Sequence, residues 1–158
     1  MSVLSIFDAI EHGPVGQGIA GSLWLFPVIE AVHLLTLSVI GGAVLVVNFR
    51  LLGIGITAAP VRRIAKTARP WMNWSLVIML ITGFLLFSSE ATKCYYHPAF
   101  WFKMTCLLLA SLFTYTLYDK VVMQDDMKIT PGKAKLAALT SIVLWTGVGI
   151  GGRWIGFS

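Results

Sequence analysis

Between Ala31 and Phe49 the chain carries a single ionisable side chain, His33, and three more apolar runs follow downstream. The run from Trp71 to Ser89 has no ionisable residue at all. A third covers about 98–118, with Lys103 one turn inside its start, and a fourth covers about 135–154, apolar until Arg153. The first candidate extends over about 23–53. Each is long enough to cross a hydrocarbon core, which takes about 20 mainly apolar residues. Lipid satisfies no backbone hydrogen bonds, and these runs exceed the length of barrel strands, so all four are expected to be helical. The fold class is therefore an all-α integral membrane four-helix bundle, one domain over residues 1–158 with the bilayer as its solvent. Composition agrees: 57% of residues are apolar and 12% charged, against about 45–50% and 25% in soluble domains.

Punctuation supports these limits. Pro60 and Pro70 are expected to bracket a basic connection, Pro98 opens the third span, and Pro131-Gly132 breaks the chain before the fourth. Ahead of the first span, Val3 to Glu11 alternates apolar and acidic residues at helical spacing, which reads as a short interfacial helix. A flexible Gly13-Pro14-Val15-Gly16 stretch is expected after it. The N-terminus lacks the basic start of a signal peptide.

Orientation follows from the cations. Arg50, Arg62, Arg63, Lys66 and Arg69 flank the first connection, and Lys120, Lys128, Lys133 and Lys135 the third. Only Lys93, Lys103 and Arg153 lie toward the other side. The positive-inside rule then puts both termini outside, which in a bacterial inner membrane is the periplasm. This placement marks topology rather than a nucleic-acid-binding face, so nucleic acid is not an expected partner. Trp24, Trp71, Trp74, Trp101 and Trp154 fall near span ends, as interface anchors do.

The informative residues are those that cost free energy in lipid, on the order of 3 kcal/mol for a charge at a span centre. Glu30 and His33 are one turn apart in the outer half of the first span. Lys103 opens the third span on that side, Arg153 closes the fourth there, and Glu90 and His97 flank the second connection. A polar pocket beneath the outer surface is the inference. The plainer reading pairs Glu30 with Lys103 or Arg153 to fix helix register. The sharper one makes His33 an axial ligand of a b-type haem, with Arg153 or Lys103 on its propionates and Gly41 and Gly42 admitting a flat ring. The chain has three histidines, His12, His33 and His97. At most one bis-histidine haem fits, with His97 as the second ligand; His97 reads equally as a loop residue.

Cys94 and Cys106 make neither a disulfide framework nor a zinc site. With His97 and Met104 they are soft donors that suit Cu(I), at a spacing that matches no strong motif. Gly147 to Gly152 offers the small-residue spacing of close helix packing and lacks the ending of a phosphate loop.

The run Ser22 to His33 resembles the opening of a widespread family of small bacterial four-helix membrane proteins classed as a domain of unknown function. Asn48 to Gly53, Pro98 to Lys103 and Gly151 to Ile155 match the same pattern, so the resemblance covers nearly the whole chain. It is also distantly similar to the copper-resistance D membrane proteins, which share an early histidine. The resemblance implies that Glu30, His33, Arg50, Lys103 and Arg153 belong to the family pattern, whereas a histidine at 97 does not; it carries no activity with it. The expectation is a haem b protein passing single electrons between quinol and a periplasmic protein partner, with His33, His97, Arg153, Lys103 and Glu30 at the site. The alternatives are a non-catalytic accessory subunit of a larger membrane complex, and a copper or small-solute carrier. Assembly as a homo-oligomer is compatible with each, and whether the chain is an enzyme stays open.

Overall fold

Four apolar helices of 25 to 29 residues make up most of the molecule. The structure, a computed structural model, describes residues 3–55, 57–124 and 126–155. In chain order the α-helices among these are α1 (Val3–Glu11), α2 (Pro14–Ala20), α3 (Leu25–Leu51), α4 (Val61–Ser89), α5 (Ala91–Tyr96), α6 (Pro98–Phe113), α7 (Asp119–Val122) and α8 (Pro131–Ile155). A π-helical turn, Thr114–Tyr118, joins α6 to α7 without a break, so Pro98–Val122 forms one span. No strand occurs among the described residues. The chain is an all-α, four-span membrane bundle.

Three local features differ from the sequence expectations. Pro60 ends a connection, but Pro70 lies inside α4, whose first turns are the basic segment itself. Arg and Lys are good helix formers, and outside the apolar run nothing but Pro70 opposes the helix. The Gly13–Gly16 stretch is helical: Gly13 is the N-cap of α2, and Pro14 takes the first turn, where its missing N–H costs nothing. Gly16 also packs against the end of α4, since a β-carbon there would collide with the Ser88 carbonyl oxygen. The second connection, expected only as a link between spans, holds a short helix, α5.

The spans pair as two antiparallel hairpins, α3 with α4 and α6 with α8. α3 also runs along α8, whereas α4 and α6 stay out of close backbone contact. Side chains fill that flank instead, among them Phe87 and Phe100, stacked with centroids 5.5 Å apart. Two apolar cores follow. Ile40, Val44, Met79, Leu107, Trp145 and Val148 fill the middle, and Val47, Leu51, Val61, Tyr118 and Val122 gather toward the basic connections. That end is called the basic side below, and the end bearing α1, α2 and α5 the terminal side. Trp24, Trp71, Trp74, Trp101 and Trp154 are all exposed, as membrane-interface anchors require.

On the terminal side, α1 and α2 cover the ends of α4 to α6. Phe7 inserts among Phe87, Tyr95 and Phe100, with centroids 5.0, 5.3 and 6.5 Å away. Glu11 Oε2 accepts from the Thr92 N–H at 2.6 Å and so satisfies an N-terminal donor of α5. Bonds from the Thr92 hydroxyl and N–H hold the Glu11 carboxyl below its ordinary value of 4.5. A depressed folded pKa means this contribution is present above about pH 4.5 and fades as pH falls through the folded value. At pH 7, Glu11→Gln is expected to speed amide exchange in α5 several-fold. The wild type and the variant, compared at matched pH by mass spectrometry, are expected to converge at acid pH.

Candidate functional site

His33 lies eight residues into α3, about 12 Å along its axis. Its side chain is buried, at 6% exposure. Both ring nitrogens are engaged across helices. Nδ1 lies 3.0 Å from Thr82 Oγ1 on α4, and Nε2 lies 3.2 Å from Lys103 Nζ on α6. The Thr82 hydroxyl sends its own proton to the Ile78 carbonyl at 2.8 Å, so its oxygen is the acceptor and His33 Nδ1–H the donor. The Lys103 ammonium has only protons to offer. Nε2 therefore carries the lone pair, and the imidazole is neutral with a fixed tautomer.

Glycines bring the remaining walls close. A β-carbon at Gly83 would stand 3.2 Å from His33 Cε1, and one at Gly151 would stand 3.0 Å from Lys103 Cβ. At Gly152 it would meet Lys103 Nζ at 3.3 Å. All four spans thus contribute to one layer: His33 from α3, Thr82 and Gly83 from α4, Lys103 from α6, and Gly151 and Gly152 from α8. Above it lies Cys94 on α5, within electrostatic reach of Lys103. Burial, with Glu90 adding to it, pushes the Cys94 thiol up to about 11, so it packs as an uncharged group.

Of the residues expected at a site, the structure brings His33 and Lys103 into direct contact. Glu30 is exposed on α3, facing away from the layer that buries His33. The expected pairing of Glu30 with Lys103 is absent among the described residues, where His12–Asp8, Arg69–Asp119 and Lys93–Glu90 do pair. His97 caps α6, its Nδ1 accepting from the Ala99 N–H at 3.2 Å, and it makes no bond to His33 or Lys103. Arg153 is exposed in the last turn of α8, one residue beyond Gly152. Gly41 and Gly42 have open space at their β-positions and line no part of the layer. Among the described residues no three His, Cys, Asp or Glu side chains converge as a metal site. Cys106 is instead wedged at the α6–α8 seam, where a β-carbon on Gly147 would lie 2.9 Å from its Sγ.

Thr82 and Gly83 went unnoticed in the sequence because their span has no ionisable residue to draw attention. A second polar cluster was missed as well. Asn48 Nδ2 donates to Ser141 Oγ at 3.1 Å, and Tyr118 Oη donates to Asn48 Oδ1 at 2.6 Å, joining three spans nearer the basic side.

Compared with known proteins, residues 11–158 match a family described as "Family of unknown function (DUF6644)". The chain belongs to this family. No curated protein and no solved structure matches the chain. Membership in DUF6644 thus agrees with the resemblance read from the four sequence stretches, and the comparisons return no copper-resistance D protein.

The His33–Lys103 bond is expected to carry a measurable coupling energy. His33→Leu alone leaves the ammonium without an acceptor and is expected to cost about 2–3 kcal/mol. Adding Lys103→Met is expected to recover about 1 kcal/mol or more. Reversible unfolding in mixed detergent micelles measures the cycle, and strict additivity of the two changes would show an energetically idle contact.

Proposed function

We propose that the chain is a membrane b-type haem protein that takes part in one-electron transfer, with His33 as axial ligand. One observation supports this above the others: a neutral imidazole, anchored through Nδ1–H, presents its Nε2 lone pair inside a layer built by all four spans. Hydrogen bonding at the far nitrogen is how metal-binding histidines are held in orientation. Such a nitrogen can serve as a single donor to a haem iron once Lys103 yields the lone pair. Its stem is long and flexible, and the adjoining flank between α4 and α6 is closed by side chains rather than by backbone contact.

When bound, the haem would supply the redox chemistry. His33 would hold the iron, while Lys103 and Arg153 would place positive charge where propionates face the membrane surface. His97 is the candidate second ligand, and it must leave its cap on α6 to serve. Glu30, directed outward, would tune the field from the lipid side. On this reading the terminal side faces the periplasm of a bacterial inner membrane, with a quinol as electron donor and a periplasmic protein as acceptor.

A second reading has its own observation. The Lys103 ammonium already saturates Nε2 and joins the two hairpins, which suits a structural clamp in a non-catalytic subunit of a larger complex. Reduced-minus-oxidised absorption spectra of detergent-purified protein separate the two. Stoichiometric haem, lost in His33→Ala and kept in His97→Ala, is expected for a ligand at His33. Colourless protein from haem-supplemented cells would sink the haem reading and leave the clamp.

A further inference from the structure

Toward the basic side, a crevice opens between the α3–α4 hairpin and the π-helical turn. It encloses a cavity of about 40 Å³. Its apolar walls include Ala43, Val44 and Ala68, and its polar lining includes Thr114, Tyr118 and Ser141, with Arg69 and Asp119 also on its wall. Arg69 Nη2 and Asp119 Oδ2 are 2.6 Å apart and about one-third exposed, so this edge of the crevice meets the surroundings.

Hydrogen-bond accounting at this place leaves a remainder. Thr36, Thr82, Thr105 and Thr116 all return their hydroxyl protons to carbonyls one turn back. Thr114 does not. Its Oγ1 accepts from Trp145 Nε1 at 3.2 Å, and its own proton meets no acceptor among the described residues. Ser141 is alike: Oγ accepts from Asn48, and the hydroxyl proton meets no described acceptor. Tyr118 has spent its proton on Asn48, so its oxygen retains lone pairs. Two donors and one acceptor therefore border the same cavity. In lipid such groups cannot turn to solvent, and an unmet buried donor costs on the order of 1–3 kcal/mol.

Water has the required chemistry, being both donor and acceptor. A site needs roughly 10–15 Å³ of such volume for each water and two or more polar partners. By that measure the cavity has room for about three or four molecules, and it is far too small for a lipid or a quinone ring. Ser141 lies six residues beyond Lys135 on α8, about 9 Å of helix, inside a hydrocarbon core of roughly 30 Å but nearer its basic side. We propose that this cavity is an internal water site, reached past the Arg69–Asp119 pair, that carries water and exchangeable protons from the basic side into the span as far as Ser141. It is independent of what His33 binds.

Millisecond X-ray radiolysis of the full chain in lipid nanodiscs tests the proposal, because hydroxyl radicals born from ordered water oxidise the side chains beside it. Tyr118 lines the cavity, whereas Met79, similarly buried, packs in the central core away from it. Thioethers are the more reactive toward these radicals. Tyr118 is nevertheless expected to oxidise faster than Met79, with oxygen-18 incorporated after mixing into heavy-oxygen water. The near-isosteric pair Thr114→Val and Ser141→Ala removes both donors and is expected to cut Tyr118 oxidation several-fold, with Trp101 at the terminal side as the folding control. Oxidation of Tyr118 at or below the rate of Met79 in the wild type overturns the proposal whatever the variant does. So does an unchanged Tyr118 rate in a folded double variant.

Discussion

Apolar helices gain nothing from hiding one another when their surroundings are as apolar as themselves, so in lipid the association of two hairpins depends on close packing and polar links. Several such links join the hairpins among the described residues. His33 bonds to Lys103 across the two hairpins, Asn48 ties α3 to α8 and to Tyr118, and Arg69 reaches Asp119. Tyr115 reaches Asn73, across the flank where α4 and α6 stay apart. Within the pairs, His33 bonds Thr82 across α3 and α4, and Gly147 and Gly151 bring α8 close to α6. The placement of the pairs relative to each other rests on the bonds between them.

Much of this was readable before any coordinates, because the bilayer imposes strong rules on sequence. Unbroken apolar runs, a basic connection and tryptophans at span ends give spans and relative orientation. The layer holding His33 and Lys103 was also legible, since both residues pay a cost in lipid that invites explanation. The partner of Lys103 was not. Glu30 and His33 are one turn apart, yet consecutive turns of a helix drift around its axis. That drift leaves His33 buried and Glu30 exposed. Charge alone suggested the wrong member of the pair.

Other misses share a cause. A threonine in a spanning helix usually bonds its own backbone, as most do here, so Thr82 and Thr114 carry no distinguishing mark in sequence. Their roles depend on which helix lies opposite, and sequence spacing within one helix does not report that. Asn48, two residues before Arg50 at the end of a span, likewise carries no mark of its own in sequence. Pro70 read as a boundary because proline so often is one; the residues around it favour a helix strongly enough to carry the chain through.

The two cysteines have a practical side. Cys94 is buried, with a thiol pushed up to about 11, and Cys106 is wedged against α8. At neutral pH only about one Cys94 side chain in ten thousand would be a thiolate, the form that alkylating reagents attack. Cys94 is in that respect a poor target for maleimides, so a cysteine introduced on a loop would report its side of the membrane over little background from Cys94.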